Sequence, residues 1–591
     1  MEGNNRCEYV SDLIAELLRR YGVEYVALNP GRTFRAIQES IVNYLGNVQP
    51  KIVEVCHEEI AVAIAHGYFK AKRKPMAVLL HDIVGLLHAS MAIFNAWCDD
   101  AAILLLGGIG PMDAVKRRPW IDWVHTALIP ANLVRDYIKW DDQPFSPEAI
   151  VESFARAYKI AITPPAGPVL LYFDVELQES RLEKDVRLIR PEDYPAPTPP
   201  SPDSKAIKKV ANMIIEAEMP VIVAEFLGNN PDAVERLVEF STEMAIPVID
   251  RWATFNFPNT HPMDLTGSEI LSEADLILAF DVKDLFGALN RYRESHCESL
   301  IKDDAKVVTI GLYDYRTQRG TITDYQRINR VDLSIASDSS SALQILIELC
   351  HEYSRTKRDI IEERYAKCSN ISHELKKAWI MEAEEAMKKS KITSPAVSLA
   401  VWKAVRDFDW VVAAGSIGRD WPPWERKIWE FDRWGRYFGT TWGAGLGYNL
   451  PASIGVALAL KEGLFIDLQP DGDLLYTATA LWTASHLKLP ILVLVLNNKM
   501  YGIDYQHSVS IARARNRSTL SAKIGNVLED PEIDFTSLAK AFGCYGFGPY
   551  TRPSDLEGAI REAAMITIRE RKPVVVDITT EDIHTFSRYI K

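Results

Sequence analysis

The sequence predicts an α/β fold with three doubly wound parallel-sheet domains. Short, β-rich apolar runs alternate with helical patterns along most of the chain, which is typical of parallel sheets covered by helices. A Pro-rich stretch at 188–204 and a highly charged stretch at 354–390 interrupt this alternation. The 591 residues suffice for three or four domains of about 150 residues each. We therefore place the domains at 1–187, 205–352 and 391–591.

The first domain contains five apolar runs that are predicted as strands. They are Tyr25–Leu28, Ile52–Val55, Met76–Leu80, Ala102–Leu106 and Val169–Phe173. Helical patterns lie between these runs. After Glu58, apolar residues recur at the i, i+3, i+4 and i+7 positions of a helix, namely Ala61, Ile64, Ala65 and Tyr68. This alternation predicts one parallel sheet.

The second and third domains repeat the pattern. Their predicted strands are Val221–Ala224, Pro247–Asp250, Leu276–Phe280, Val307–Ile310, Trp410–Ala414, Leu464–Gln469, Ile491–Asn497 and Pro573–Ile578. A helix over Thr477–Lys488 is predicted between two strands of the third domain. The six prolines at 188–204 favour a linker because proline continues neither a helix nor a sheet ladder. The charged stretch at 354–390 has the composition of a solvated helical connection.

Composition excludes several classes of protein. A hydrophobic content of 47% is that of a globular protein rather than a disordered one, and a net charge of −13 argues against a nucleic-acid partner. No apolar run reaches the roughly 18–20 residues that span a bilayer, so no membrane partner is expected. The polar N-terminus lacks the apolar region of a signal peptide. Seven scattered cysteines without a CxxC pair favour reduced thiols and a cytoplasmic location.

Oxygen-bearing residues follow two predicted strands of the third domain. Leu464–Gln469 runs into Pro470-Asp471-Gly472-Asp473, and the strand at 491 ends in Asn497-Asn498-Lys499-Met500. Ligands of open α/β sheets bind at such strand ends. The Asp471 carboxylate, the Asn498 side chain and the Met500 carbonyl are hard oxygen donors that suit Mg²⁺ or Ca²⁺ on a diphosphate. The alternative is a surface turn beside an Asn-rich loop.

These segments resemble a known enzyme family. Asp471-Gly472, followed 27 residues later by Asn498, is similar to the GDG…NN signature of thiamine-diphosphate enzymes, with Pro470 in place of the first glycine. The stretch ALWTASHLKLPILVLVLNN and the glycine-rich loop at 443–455 are similar to those of benzoylformate decarboxylases. The chain is therefore identified as a member of the thiamine-diphosphate-dependent 2-oxo acid decarboxylase and acetolactate synthase superfamily, with pyrimidine-binding, central and diphosphate-binding domains.

The resemblance implies a set of residues that bind the cofactor and its metal. Thiamine diphosphate is expected at Ser416, Leu446, Gly472, Asp473 and Met500, with Leu446 as the apolar wedge beneath its two rings. Mg²⁺ is expected on Asp471, Asn498 and the Met500 carbonyl. For Ser416, which lies in the turn Ala414–Gly418, an ordinary turn is the alternative. A dinucleotide site at 443–448 is excluded because GxGxxG would need glycine where Tyr448 stands.

The first domain supplies the expected catalytic residues. Counting back from Ala65-His66-Gly67-Tyr68, which matches the family's A-[DE]-G-Y, places Glu58 where a carboxylate binds and activates the cofactor. The alternative is a carboxylate that only favours the helix N-terminus. His81 aligns with the decarboxylase's active-site histidine and is expected to donate or accept protons. Arg32 follows an Asn-Pro-Gly turn, where a guanidinium could hold a substrate carboxylate or point to water.

The resemblance also implies an activity. We expect a lyase that decarboxylates a 2-oxo acid through an enamine, with or without carboligation. The alternatives are an acetolactate-synthase-like carboligase and a cofactor-binding homologue with altered or lost activity. The last remains open because His88 replaces the family's usual Asn and no histidine stands near Phe286-Gly287. FAD is expected to be absent, and a homodimer or homotetramer with active sites between subunits is expected.

Overall fold

A computed structural model describes residues 7–293, 296–315, 326–418 and 420–581. It contains three parallel sheets, as predicted, and a small antiparallel hairpin. Within the described residues the chain divides into two compact units. Unit 1 comprises residues 7–198, 441–462 and 473–489, and unit 2 comprises residues 199–440, 463–472 and 490–581.

The elements are numbered in chain order. The strands are β1 (Tyr25–Leu28), β2 (Lys51–Glu54), β3 (Met76–Leu80), β4 (Ile103–Ile109), β5 (Trp140–Asp142), β6 (Val169–Asp174), β7 (Pro220–Ala224), β8 (Val248–Asp250), β9 (Leu276–Phe280), β10 (Asn290–Arg293), β11 (His296–Ser299), β12 (Lys306–Gly311), β13 (Leu333–Ala336), β14 (Trp410–Gly415), β15 (Leu464–Pro470), β16 (Ile491–Asn497), β17 (Tyr545–Tyr550) and β18 (Val574–Thr579). The helices are α1 (Val10–Arg20), α2 (Arg35–Glu39), α3 (Glu58–Lys72), α4 (Val84–Cys98), α5 (Ile121–His125), α6 (Pro147–Ile162), α7 (Val175–Glu179), α8 (Ser204–Glu216), α9 (Pro231–Met244), α10 (Leu285–Leu289), α11 (Ser339–Thr356), α12 (Arg358–Met387), α13 (Ser394–Val405), α14 (Trp424–Ile428), α15 (Asn449–Leu460), α16 (Asp471–Tyr476), α17 (Ala480–His486), α18 (Gly502–Ala514), α19 (Phe535–Ala541) and α20 (Leu556–Glu570).

Unit 1 is built on a six-stranded parallel sheet in the order β2-β1-β3-β4-β6-β5. Its central strands β3 and β4 are buried along their whole length, as expected when helices cover both faces of a parallel sheet. The five predicted strands are present. The sixth, β5, has the sequence Trp-Asp-Asp at the sheet edge, where its two acidic residues give no apolar signal.

Two glycines allow helices α3 and α15 to pack closely within unit 1. A Cβ on Gly67 would lie 2.1 Å from the Ala452 carbonyl oxygen, and one on Gly455 would lie 2.0 Å from the Ile64 carbonyl oxygen. Because any side chain at these positions would clash with backbone, glycine is needed at both. The packing fixes the position of α3, which begins at Glu58.

A buried charge cluster adds to this packing. Asp99 follows α4, and its Oδ2 lies 3.1 Å from His66 Nε2 and 3.4 Å from Lys70 Nζ, both on α3. Its Oδ1 accepts a hydrogen bond from the Trp442 backbone N–H at 2.7 Å. Burial alone would raise the pKa of Asp99, but Lys70, His66 and the Trp442 N–H together lower it to about 2.

Replacement of Asp99 by Asn is expected to lower the free energy of unfolding by about 2–3 kcal/mol. The change removes the negative charge that faces the buried Lys70 ammonium and the His66 imidazole, and hydrogen bonds to charged groups contribute about 1.5–3 kcal/mol. Urea unfolding of the variant beside Asp113→Asn, an exposed carboxylate of the same unit, measures the difference. Equal midpoints for the two variants would contradict the expectation.

Unit 2 contains two five-stranded parallel sheets. Their orders are β13-β12-β9-β7-β8 and β14-β15-β16-β18-β17. All eight strands predicted for these domains are present, whereas β10, β11, β13 and β17 were not predicted. The charged stretch at 354–390 is helical, with α11 ending at Thr356 and α12 running over Arg358–Met387. Between α7 and α8 the Pro-rich stretch forms only the short 3₁₀ turn Pro191–Asp193. Within the described residues, no helix is both long and apolar enough to span a bilayer.

The helix predicted over Thr477–Lys488 is present but shorter, and a helix that was not predicted precedes it. Helix α16 begins directly after β15, at Asp471, and a second helix, α17, covers Ala480–His486. An early start fits the two acidic residues in the first turn, Asp471 and Asp473, which favour a helix N-terminus. The Thr477 hydroxyl between the helices donates to the Gly447 carbonyl at 3.1 Å.

Candidate active site

Glu58 is a buried carboxylate at the first position of α3. Its Oε1 accepts a hydrogen bond from Asn29 Nδ2 at 3.2 Å, and its Oε2 lies 3.1 Å from His88 Nδ1. Asn29 belongs to the turn after β1, and His88 lies on α4. Three elements therefore hold one carboxylate in place. A buried carboxylate needs such partners because an unpaired buried charge is costly.

His57 and His88 form a stacked pair beside Glu58. Their ring centroids are 4.7 Å apart with an interplanar angle of 22°. His57 caps α3, with its Nδ1 accepting the Glu59 N–H at 3.3 Å. Burial and the neighbouring His88 lower the pKa of His57, so its imidazole is neutral at pH 7. The sequence predicted Glu58 but not this contact with His88.

His81 directly follows β3 and lies close to Glu58. A Cβ on Gly85 would lie 3.3 Å from His81 Cβ and 3.4 Å from Glu58 Oε1, so the two candidate catalytic residues flank one glycine. His81 Nδ1 is 3.2 Å from Thr33 Oγ1. Burial, the nearby His125 and Arg32 lower the pKa of His81. The ring of His125 meets it edge-on, with centroids 5.2 Å apart.

Arg32 has an acidic neighbour that the sequence did not predict. Its Nη2 lies 3.6 Å from Oδ1 of Asp122, a buried residue in α5. Asp122 also accepts from the Arg118 backbone N–H at 2.8 Å. The guanidinium is held on one side, and its fork geometry leaves other N–H groups for a second carboxylate.

The glycine-rich loop is anchored in unit 1 by Asn95 and Asp473. Asn95 donates to the Gly445 carbonyl and accepts from the Gly445 N–H, both at 3.1 Å. Asp473 Oδ1 accepts from the Gly447 N–H at 2.8 Å. These contacts fix both sides of Leu446, which is half-buried. Asp473 therefore contacts this loop, and its role as a cofactor residue stays a prediction.

The predicted metal ligands come together in unit 2 at the carboxyl ends of β15 and β16. Asp471 Oδ1 accepts from the Gly472 N–H at 2.8 Å, and its Oδ2 accepts from the Lys499 N–H at 2.7 Å. Asn498 Oδ1 accepts from the Met500 N–H at 3.1 Å. Burial raises the pKa of Asp471 to about 6 despite these backbone donors. A desolvated carboxylate beside amide and carbonyl oxygens fits a hard dication such as Mg²⁺.

Ser416 follows β14, the strand next to β15 in the sheet. The turn that contains Ser416 is hydrogen-bonded to Glu425, a fully buried residue whose Oε2 accepts from the Ile417 N–H at 2.8 Å. Burial raises the pKa of Glu425 to about 7. Sequence analysis missed Glu425, Asn29, Thr33 and Asp122. Of these four, only Asn29 and Thr33 carried a signal, because Asn29 is the first residue of the Asn-Pro-Gly turn and Thr33 lies two residues after that turn.

Comparisons with known proteins match both ends of the chain to one family. The family described as thiamine pyrophosphate enzyme, N-terminal TPP binding domain, matches residues 9–128, and the C-terminal TPP binding domain matches residues 422–578. Benzoylformate decarboxylase of Pseudomonas aeruginosa is 23% identical over 96% of this chain and 98% of its own length. Acetolactate synthase large subunit of Haemophilus influenzae is 24% identical over 97% of this chain and 94% of its own.

Solved structures show the same fold. Benzoylformate decarboxylase from Polynucleobacter necessarius matches with a TM-score of 0.73 and 19% identity, over 97% of this chain and 99% of that one. A thiamine diphosphate-dependent 4-hydroxybenzoylformate decarboxylase from Rhodococcus jostii matches with a TM-score of 0.71 and 20% identity, over 97% and 100%. Residues 9–128 and 422–578 therefore form the N- and C-terminal TPP-binding domains of the thiamine pyrophosphate enzyme family. Within that family the chain resembles benzoylformate decarboxylases and acetolactate synthases alike.

Proposed function

We propose that the protein is a thiamine-diphosphate-dependent carbon–carbon lyase that decarboxylates a small 2-oxo acid. The buried Glu58 carboxylate, held by Asn29 and His88 at the start of α3, is the observation that supports this most. Thiamine diphosphate, when bound, supplies the electron sink for loss of the carboxyl group. Glu58 exchanges a proton with the cofactor, and Arg32 orients the substrate carboxylate. His81 forms a hydrogen bond with the 2-oxo oxygen of the substrate.

The proposal extends to the cofactor, the assembly and the location. Mg²⁺ is held by the side chains of Asp471 and Asn498 and by the Met500 carbonyl, and the cofactor contacts Ser416, Leu446, Gly472 and Asp473. The active protein is a homodimer or homotetramer with active sites between subunits, and it is cytoplasmic. Light scattering tests the assembly, and an active monomer would overturn that part.

A second candidate function is transfer of the two-carbon or larger acyl unit to another carbonyl. It is favoured by relatives at 24% identity that are named acetolactate synthase and, in Escherichia coli O157:H7, glyoxylate carboligase. We would incubate the protein with thiamine diphosphate, Mg²⁺ and a panel of 2-oxo acids, then measure CO₂ and the products. Free aldehyde supports the lyase, a condensation product supports the carboligase, and no turnover of any acid contradicts both.

Replacement of Asp471 by Asn is expected to weaken cofactor binding at least tenfold. The amide removes the one anionic oxygen donor of the proposed metal site and keeps an oxygen acceptor for one of the two backbone N–H groups, those of Gly472 and Lys499. Titration of thiamine diphosphate at fixed Mg²⁺, followed by quenching of tryptophan fluorescence, gives the dissociation constant. Asp407→Asn, which changes an exposed carboxylate of unit 2, should bind as the wild type does. An unchanged constant in Asp471→Asn would overturn the assignment.

A further inference from the structure

Thr33 and His81 form a hydrogen-bonded pair whose protons can be assigned from the geometry. The Asp82 backbone N–H donates to Thr33 Oγ1 at 3.0 Å, and the same oxygen lies 3.2 Å from His81 Nδ1. Thr33 is buried, and its backbone is fixed by Gln178, whose Nε2 donates to the Thr33 carbonyl at 3.0 Å. The hydroxyl therefore sits in one place between a donor and an imidazole nitrogen.

The Thr33 hydroxyl has one proton to donate and two lone pairs. One lone pair is taken by Asp82 N–H. Among the described residues, His81 Nδ1 is the remaining hydrogen-bond partner of this hydroxyl, and a neutral imidazole nitrogen without a proton can accept. A buried hydroxyl whose proton had no acceptor would cost about 1–3 kcal/mol, so the O–H donates to Nδ1. In a neutral imidazole the ring proton then resides on Nε2.

The imidazole is held neutral by its surroundings. His81 is half-buried, and Arg32 and His125 lie nearby as like-charged or chargeable groups. These groups and burial lower the pKa of His81, with Glu58 acting in the opposite direction. A neutral imidazole with its proton on Nε2 cannot accept a proton at Nε2. It can donate a hydrogen bond there without losing the proton.

We infer that Thr33 is a positioning residue that locks His81 in the Nε2–H tautomer, so that His81 acts as a neutral hydrogen-bond donor to the 2-oxo oxygen of the substrate. Negative charge grows on that oxygen as its carbonyl carbon is attacked, and a donor fixed in advance stabilises it. No proton leaves His81 in this step. The inference rests on the proposed function for its chemistry, but the tautomer is a property of the free protein.

The tautomer is tested first, without turnover. Solid-state ¹⁵N NMR of protein labelled at the histidine ring nitrogens reports which nitrogen carries the proton, and the His81 signals are identified by their loss in His81→Asn. We expect Nε2 of His81 to be protonated and Nδ1 to be unprotonated in the wild type. A protonated Nδ1 would overturn the inference and leave the roles proposed for Glu58 and Asp471 untouched.

The variants Thr33→Val and Thr33→Ser test the consequence. Valine has the shape of threonine but no hydroxyl, so the Nδ1–H tautomer becomes populated. We expect kcat to fall about tenfold or more, because removal of a donor aimed at developing charge costs about 10²–10³-fold, while KM changes less than threefold. Serine retains the hydroxyl and should restore both kcat and the Nε2–H spectrum. Equal kcat values for Thr33→Ser and Thr33→Val would overturn the inference. If Thr33→Val does not fold, the kcat of Thr33→Ser and the wild-type NMR spectrum still decide it.

Discussion

Glu58→Gln is expected to lower kcat by about 10²–10⁴-fold, the range typical of a lost acid–base group. Glutamine fills the same space and can still accept from Asn29 Nδ2, which lies 3.2 Å from Oε1. It cannot exchange a proton with a cofactor. The fold should therefore persist while the proposed step fails. Initial rates of CO₂ release at saturating thiamine diphosphate and Mg²⁺ give the effect, and circular dichroism checks the fold.

Glu54→Gln is the matched control for Glu58→Gln. Glu54 ends β2, four residues before Glu58, and is exposed. Glu54→Gln makes the same chemical change in a carboxylate that water solvates, so its kcat should stay within about twofold of the wild type, as expected for a surface substitution. If Glu58→Gln retained wild-type kcat on every accepted 2-oxo acid, the carboxylate would only stabilise the N-terminus of α3. The homologue with altered activity would then be the better interpretation.

Glu58 could be predicted because a local motif on one helix fixes its distance from Ala65-His66-Gly67-Tyr68. Asp471 and Asn498 could be predicted because parallel strands bring their carboxyl ends to one edge of a sheet. The hydrogen-bond partners of Glu58 could not be predicted from the sequence. Asn29 and His88 reach Glu58 across 29 and 30 positions of the sequence. Only the packing of β1 and α4 against α3 brings them together, and no periodicity encodes it.

The same limit explains the missed elements. β5 has a Trp-Asp-Asp sequence at the sheet edge, where one side of a strand needs no apolar partner. The break between α16 and α17 lies at Thr477, whose hydroxyl donates to the Gly447 carbonyl, 30 residues earlier in the chain. Local pattern fixed the buried strands because burial on both faces demands apolar runs. Local pattern could not predict the edge strand β5 or the break between α16 and α17, because tertiary contacts determine both.

A buried arginine in unit 2 should show the largest stability effect. Arg426, on α14, is 2% exposed. Its Nη1 lies 3.2 Å from Asp250 Oδ2, and its Nη2 lies 2.9 Å from Asp264 Oδ1. The guanidinium also lies over the Trp252 ring, 4.3 Å from its centroid. Burial raises the pKa of Asp250, and Arg426 opposes that rise. One cation therefore compensates two buried carboxylates.

Arg426→Met is expected to lower the free energy of unfolding by about 3–5 kcal/mol at pH 7.5, the cost of breaking a buried ion pair by removing one partner. Methionine keeps much of the apolar stem, so most of the loss comes from the two uncompensated carboxylates. Arg433→Met is the control. Arg433 is mostly exposed and paired with Asp432, and a surface pair contributes about 0–1 kcal/mol. Urea unfolding followed by tryptophan fluorescence compares the two variants.

The pH dependence separates charge from packing as the cause. Without Arg426, the folded-state pKa of the Asp250 carboxyl rises further above its unfolded value near 3.9. A group whose folded pKa is raised favours the protonated form in the native state, so the variant regains stability as the pH falls through that folded pKa. The deficit of Arg426→Met relative to the wild type should therefore be smaller at pH 5 than at pH 7.5. A deficit that is the same at both values would show that lost packing against Trp252, rather than buried charge, destabilises the variant.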